Sequence, residues 1–371
     1  MPYIPAICQV RREFIGWAWP MIVLLISLGS AGAEERARDF LHKPDDWFRT
    51  PAGRTTLDNI LSFQSPAASW PKNTDCVSAP YAGEPGKLHG TFDNAATTDE
   101  LRLLARSWNV TRTRRDREAF LRGLDHILSA QYPTGGWPQY FPPGDGYARY
   151  ITFNDDTMVR LMTLLREVAT ADGYQFVDSA RRERAGAAFD RGIDCIVRCQ
   201  VRIDDRLTVW CAQHDAVDWQ PRPARTFELA SLSGSESTRI VRLLMSLDRP
   251  SPAVVTAIDA AVVWFDHATL TGIRQDYQPD PQAPKGENKI IVADPAAPPL
   301  WARFYDLATE KPIFVDRDGV PRAQLADIGY ERRNGYAWLG TWPQKLLDDE
   351  YPAWCQRHGH TPVISAKVEA R

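Results

Sequence analysis

Residues that bind soft metals are scarce in this chain. Of its 371 residues six are cysteine, seven histidine and five methionine. There is no CxxC pair and no Cys/His spacing of the kind that holds zinc. Past residue 33 no apolar run is long enough to cross a bilayer. An excess of basic charge is also missing. Lys and Arg number 44 against 47 Asp and Glu, a formal net charge of −3, which argues against nucleic acid as the main partner. None of this excludes an acidic ligand held by a local cluster of arginines.

What is present begins with an export signal. Arg11-Arg12 precede an apolar stretch from Ile15 to about Leu28, and Ala31-Gly32-Ala33 offers a small-residue cleavage site. Residues 1–33 therefore read as a signal peptide rather than a spanning helix, and Arg11-Arg12-Glu13-Phe14-Ile15 also matches a twin-arginine signal. The mature chain is expected to begin near Glu34, in the periplasm or outside a bacterium, with no further membrane contact. Loss of Arg11, Arg12 and Glu13 takes the net charge from −3 to −4. Five cysteines remain, Cys76, Cys195, Cys199, Cys211 and Cys355, so at least one thiol stays free. Thirteen Trp and 28 Pro suit an extracellular sugar binder.

Helical periodicity dominates the rest. Leu57, Ile60 and Leu61 share a face. Thr97 with Glu100 has the spacing of a capping box ahead of Leu101, Leu104 and Trp108. Further stripes run through Phe120, Leu124, Ile127 and Leu128, and through Met158, Leu161, Met162, Leu165 and Val168. A helix is predicted over roughly 180–200. Ser233 with Glu236 is a second capping box, opening a helix with Ile240, Leu243 and Leu244. Ser251-Pro252 starts another, with Val255, Ile258, Val262 and Phe265 on its face. From 270 to 335 the periodicity fades. Ile313-Phe314-Val315 with Asp318-Gly319 reads as a short hairpin. Asp316-x-Asp318-Gly319 is like the start of a calcium loop but lacks the later ligands. Residues 348–371 are expected to form a tail after a single domain over 34–347.

The chain is organised around residues 131–156. Gly135-Gly136-Trp137-Pro138-Gln139 is a rigid aromatic turn, and Ile151-Thr152-Phe153-Asn154-Asp155-Asp156 leads into a helix start. The pattern occurs twice. Trp70-Pro71-Lys72-Asn73, then Thr91-Phe92-Asp93-Asn94 and a Leu-rich helix, matches Trp137-Pro138-Gln139-Tyr140, then Thr152-Phe153-Asn154-Asp155 and a Leu-rich helix. Repeated helix–loop–helix units suggest hairpins arranged around a common axis, with the loops at one end gathered into a cleft.

A third loop carries Trp210-Cys211-Ala212-Gln213-His214-Asp215 and then Arg222 and Arg225-Thr226-Phe227-Glu228. If the loops share a rim, Asp155, Asp156 and Asp215 can converge. Oxygen donors without thiolates or histidine pairs suit Ca²⁺ or Mg²⁺. Arg222, Arg225, Arg274, Lys289 and Arg303 fall on the same candidate loops, and guanidinium forks hold carboxylates. An acidic sugar polymer needs both kinds of group.

These stretches, with Ala224-Arg225-Thr226-Phe227-Glu228, Ser235-Glu236-Ser237 and Leu300-Trp301-Ala302-Arg303-Phe304-Tyr305, together resemble the pectate lyases of polysaccharide lyase family 10, over about residues 55–345. The resemblance implies a mainly α-helical (α/α) toroid, secretion, and Ca²⁺-dependent β-elimination on polygalacturonate. It assigns the base to Arg225 and calcium to Asp155, Asp156 and Asp215. Lys289, Arg303 and Arg274 would grip substrate carboxylates, with Asn154 beside them and Trp137 lining the cleft. A monomer is expected. There are departures. Asp156 stands where some relatives would carry an amide, and the first repeat reads Ala68-Ser69-Trp70-Pro71 rather than Gly-Gly-Trp-Pro.

Two other classes fit parts of the pattern. An inverting glycoside hydrolase would use two carboxyl groups about 6.5–9.5 Å apart, drawn from Asp155, Asp215 and Glu228, and would leave no double bond in its product. A non-catalytic uronate-binding protein would bind without turnover.

Overall fold

In a computed structural model, residues 35–364 are described; the segment read as a signal peptide lies outside them. The helices are α1 (Pro51–Ser62), α2 (Thr98–Thr111), α3 (Arg114–Ala130), α4 (Thr157–Thr170), α5 (Ser179–Cys199), α6 (Glu236–Met245), α7 (Pro252–His267), α8 (Tyr330–Gly335) and α9 (Tyr351–His358). Short turns join α2 to α3, α4 to α5 and α6 to α7, and each of these pairs packs as a hairpin. Neighbouring hairpins touch through α2–α4–α6 on one layer and α3–α5–α7 on the other. Long loops alternate with the short turns, so those before α2, α4 and α6 and after α7 emerge at the same end. This is the expected (α/α) toroid.

Local chemistry starts the helices where the side chains can hold the first free N–H groups. Thr50 Oγ1 accepts from Gly53 N at 3.0 Å, and Asp178 accepts from Arg181 N at 3.0 Å. Ser251 accepts from Val254 N at 3.4 Å ahead of Pro252, as its sequence predicts. Ser233 Oγ accepts from Glu236 N at 3.0 Å. Thr97 is different. It has a positive φ of 72°, and its Oγ1 accepts from Trp70 N at 3.0 Å and donates to Thr91 O at 2.8 Å. The expected capping residue instead ties the first loop together.

The repeat is wider than its two legible copies. Four fully buried tryptophans, one in each long loop, donate their indole N–H to a carbonyl in the preceding helix. Trp70 reaches Ile60 at 2.7 Å, Trp137 Ile127 at 2.9 Å, Trp210 Ile196 at 2.7 Å and Trp301 Phe265 at 2.7 Å. Each indole fills core space and satisfies a carbonyl near a helix C-terminus, where no intrahelical partner exists. The loops are thereby pinned to the barrel from beneath.

Strands are short, with one exception. Ile273–Pro279 pairs antiparallel with Glu287–Ala293, Tyr277 opposite Lys289. Phe314–Val315 pairs with Pro321–Arg322 across Gly319, whose φ is +74°. Asp318 there accepts from Val320 N and Arg322, so its acidic side chain serves the turn. The segment expected to be a tail is folded. Tyr351, Trp354 and Cys355 of α9 are buried, Tyr351 donates to Asp259 of α7 at 2.8 Å, and His360 meets the same carboxylate at 2.9 Å. The five cysteines among the described residues are buried and unbridged, with Cys195 Sγ and Cys199 Sγ 3.9 Å apart.

Candidate active site

The loop before α4 is bent by two consecutive left-handed residues, Asp155 (φ 49°) and Asp156 (φ 63°). The first repeat does the same with Asn94 (φ 54°) and Ala95 (φ 67°). Asn and Asp tolerate this conformation better than other side chains, but it remains costly. It turns the carboxylates toward the mouth of the toroid just ahead of the α4 N-terminus, whose partial positive charge favours anions. Asp155 is more than one-third exposed. Its two oxygens take Asn154 Nδ2 at 2.8 Å and Arg303 Nη2 at 3.2 Å. Asp156 faces Arg160 at 3.6 Å and Arg239 at 3.5 Å. Burial raises its carboxyl above the ordinary value, with Glu236 and Asp155 adding to the rise and the arginines opposing it.

Arg303 sits in the middle of these acids. It pairs with Asp155 and with the buried Glu236, and its guanidinium lies 5.0 Å from the Tyr336 ring centre. Burial works against its charge, but Glu236, Tyr336 and Asp155 outweigh that and keep it protonated. Its Nε is buried without a hydrogen-bond partner.

Arg225 comes from a tight turn. Glu228 N donates to Arg225 O at 2.7 Å, which brings the Glu228 carboxylate back onto the arginine three residues earlier. Glu228 accepts from Arg225 N at 3.2 Å and Nε at 2.7 Å, and also from Nη2. The fork is bidentate, the strong form of this pair. It raises the Arg225 pKa, against partial burial. The guanidinium also lies over Phe227 at 4.8 Å and Tyr336 at 5.9 Å.

Tyr336 is the hub of the basic side chains. Arg225, Arg303 and Arg332 all lie within cation–π range of its ring. Its hydroxyl donates to Glu228 Oε1 at 2.7 Å, and its carbonyl accepts from Lys289 Nζ at 2.9 Å. Burial lowers the Lys289 pKa. Phe227, edge-on to Tyr336, carries Arg332 at 4.4 Å and Arg317 at 5.8 Å.

Arg225, Arg303, Lys289, Asn154, Asp155 and Asp156 thus converge, but three expected residues do not join them. Asp215 closes its own turn. Burial would raise its carboxyl, but the hydrogen bond from Val217 N at 2.9 Å, and then Arg222 at 3.0 Å, hold it below the ordinary value. Arg274 pairs with Asp276 at 2.6 Å and Asp294 at 3.2 Å on the long hairpin. Trp137 is wholly buried, so it supports the cleft floor instead of lining the cleft. His214 is also structural. Cys211 N donates to its Nε2, so its Nδ1–H donates to Trp219 O at 2.7 Å. Burial brings its pKa down to about 4. Sequence reasoning missed Tyr336, Arg332, Arg317 and the pairing roles of Glu228 and Glu236. The Arg-x-x-Glu spacing of 225–228 was the available signal for one of them.

The pectic acid lyase family matches residues 64–347. The chain belongs to this family. Two solved structures of a family 10 polysaccharide lyase from Cellvibrio cellulosa are similar to it. One is 34% identical over 88% of this chain and 97% of the other, with a TM-score of 0.73. The second, a point mutant in complex with trigalacturonic acid, is 33% identical over 87% and 97%, with a TM-score of 0.72. No curated protein matches the chain. The lyase therefore carries the family and enzyme class that its motifs imply, and the hydrolase reading falls away.

The fit of calcium to the lyase is decided by its donors. Among the described residues no three His, Cys, Asp or Glu are grouped to enclose a metal. Asp155 and Glu236 share Arg303, Asn154 and Asp156 adjoin Asp155 in the chain, and side-chain oxygens of this kind suit a hard cation. Asp215, expected beside them, is held apart by Arg222 and its own turn.

Proposed function

We propose that the lyase cleaves polygalacturonate by β-elimination, assisted by Ca²⁺, and that it is exported and acts as a monomer. The observation that carries this reading is the gathering of Arg225, Arg303 and Lys289 on the Phe227–Tyr336 pair, beside the partly exposed Asp155, with Arg317 and Arg332 held at the same pair by Glu331. A uronate carboxylate is recognised by such guanidiniums, and the unpartnered Arg303 Nε supports an anion arriving there. Asp155, with Asp156 and Asn154, would hold Ca²⁺. When bound it would neutralise the substrate carboxylate and stabilise the enolate-like charge that develops when the C5 proton leaves.

Arg225 is the proposed base. It takes the proton from C5, the C5–H electron pair becomes the C4–C5 double bond, and the C4–O bond breaks with its pair going to the departing oxygen, which takes a proton from solvent. This chain makes the role demanding, because Glu228 stabilises the charged guanidinium and the neutral form is a minor species. Of the nearby cations Arg317 opposes that charge, although it is itself paired with Glu331. Glu228 and Tyr336 fix the direction in which the guanidinium points.

The deciding experiment follows ultraviolet absorbance while the lyase acts on polygalacturonate at alkaline pH, with Ca²⁺ and then with excess chelator. A rise that the chelator stops supports the proposal. New reducing ends without absorbance would refute β-elimination, and a chelator-insensitive rise would refute the calcium role.

A further inference from the structure

Beside the basic centre the loops of the first two repeats enclose a cavity of about 850 Å³. This lies within the roughly 300–1,000 Å³ of sites that hold small organic molecules. Tyr140, Phe141 and Tyr147 form its aromatic wall, and Lys72, Thr91 and Gln139 are among its polar groups. It is joined to the reaction centre through the loop of the first repeat. Gln139 donates to Asp93 at 2.6 Å, and Asp93–Ala95 packs against Asn154–Asp156.

The charge of this cavity differs from that of the centre. The single lysine in its wall, Lys72, is ion-paired with the buried Asp93, and no arginine lines it. His89 is the other basic residue of the wall, and it is exposed. A bare carboxylate placed against the aromatic wall meets no free guanidinium, and burying it without a partner is unfavourable. A methyl ester removes that charge and adds an apolar group that aromatic faces favour.

We propose that this cavity is a subsite for a methyl-esterified galacturonate residue of the same pectin chain whose unesterified residue occupies the basic centre. The inference rests on the pectate lyase reading above and assigns the lyase a preference for partly esterified chains.

Calorimetric titration with two hexagalacturonates, one unesterified and one partly methyl-esterified, tests it on the mature lyase and on the Ala67→Trp variant. Ala67 is an exposed residue of the cavity wall, and an indole there fills the space without disturbing the core. The expected result is at least a fivefold loss of affinity for the esterified hexamer in the variant, with less than a twofold change for the unesterified one. A Tyr140→Ala variant is expected to show the same selective loss. Equal losses for both hexamers, no loss for either, or no binding of the esterified hexamer by the parent would overturn the subsite. Binding is read without turnover. A parent that binds selectively but forms no unsaturated product would therefore sink the β-elimination reading and leave the subsite standing.

Discussion

The Tyr336 hydroxyl donates a hydrogen bond of 2.7 Å to Glu228, the same carboxylate that grips Arg225 through a bidentate fork. One tyrosine thus bears on the direction of the proposed base while its ring and carbonyl collect Arg303, Arg332 and Lys289. Its two functions can be separated. Tyr336→Phe removes a hydrogen bond to a charged group, worth about 1.5–3 kcal/mol, and keeps the ring. The expected result is a fall in kcat of about tenfold or more with KM little changed. Tyr336→Ala also removes the surface that the arginines share, so KM for polygalacturonate should rise as well. Steady-state kinetics on the two variants checks the split, and identical effects would dissolve it.

As the proposed base, Arg225 would act only as a neutral guanidine, and Glu228 raises its pKa. The sign follows directly. Below that raised pKa the neutral fraction grows about tenfold per pH unit, so log kcat should climb with pH for as long as the fold survives. A plateau beginning near neutrality would exclude an arginine in this ion pair as the base. Arg225→Lys loses the fork and should lower kcat by roughly 10²–10⁴-fold, the usual contribution of a positioned base. Circular dichroism should show an unchanged helical spectrum.

Asp155→Asn retains a side chain that accepts the left-handed backbone but removes a charged oxygen from the proposed calcium shell. The Ca²⁺ concentration giving half-maximal activity should rise by about tenfold or more, and added Ca²⁺ should restore much of the loss. Asp215→Asn should leave that concentration within about twofold, because Asp215 is committed to Arg222 and its own turn. A calcium titration of both variants separates the metal site from the earlier expectation that Asp215 belonged to it.

The physical range of each interaction decides what could be read from the chain. Helices α2 to α7 announced themselves because their apolar spacing is local. Arg225, Arg303 and Asp155 could be placed on neighbouring loops because each lies in a short motif. The hydrogen bond between Tyr336 and Glu228 was not, since 108 residues separate them and nothing local to Tyr336 marks it. Trp137 misled because its Gly-Gly-Trp-Pro turn resembles an exposed platform, whereas the indole points down to Ile127. Trp210 and Trp301 play the same part, but they lie 14 and 36 residues beyond their helix carbonyls, against 10 for Trp70 and Trp137. The unequal loops hid the repeat. Helix α9 could have been found. Tyr351, Trp354 and Cys355 stand at i, i+3 and i+4, a short stripe obscured by polar neighbours.

The four indole bonds should carry stability rather than activity. Trp210→Phe leaves Ile196 O without its partner in a fully buried setting. The unmet carbonyl costs about 1–3 kcal/mol, and the lost ring volume adds to it. Thermal unfolding should shift down by several degrees while kcat at a permissive temperature stays close to that of the parent. A large fall in kcat without a change in Tm would show that this tryptophan reaches the site after all.

Glu100 sets alkaline stability against the proposed alkaline chemistry. Its side chain is buried at the start of α2, Oε2 has no hydrogen-bond partner, and burial raises its pKa to about 8. The folded protein therefore binds this proton more tightly than the unfolded chain, in which an ordinary glutamate titrates near 4.3. Between those two values the unfolded state carries fewer protons, so stability falls as pH rises. The loss begins near the unfolded value and is complete above about pH 8, where a buried carboxylate carries a charge that its few backbone hydrogen bonds do not offset. The effect is on the order of a few kcal/mol. Glu100→Gln removes the ionisation and keeps the shape. At pH 5 its Tm should lie near that of the parent, and at pH 9 it should be clearly higher. A parent Tm advantage at pH 9 would mean that Glu100 is ionised and stabilised by a partner there. The variant's other expected consequence is kinetic. With Glu100 neutral at every pH, the climb of kcat with pH that Arg225 demands should continue further into the alkaline range before unfolding cuts it off.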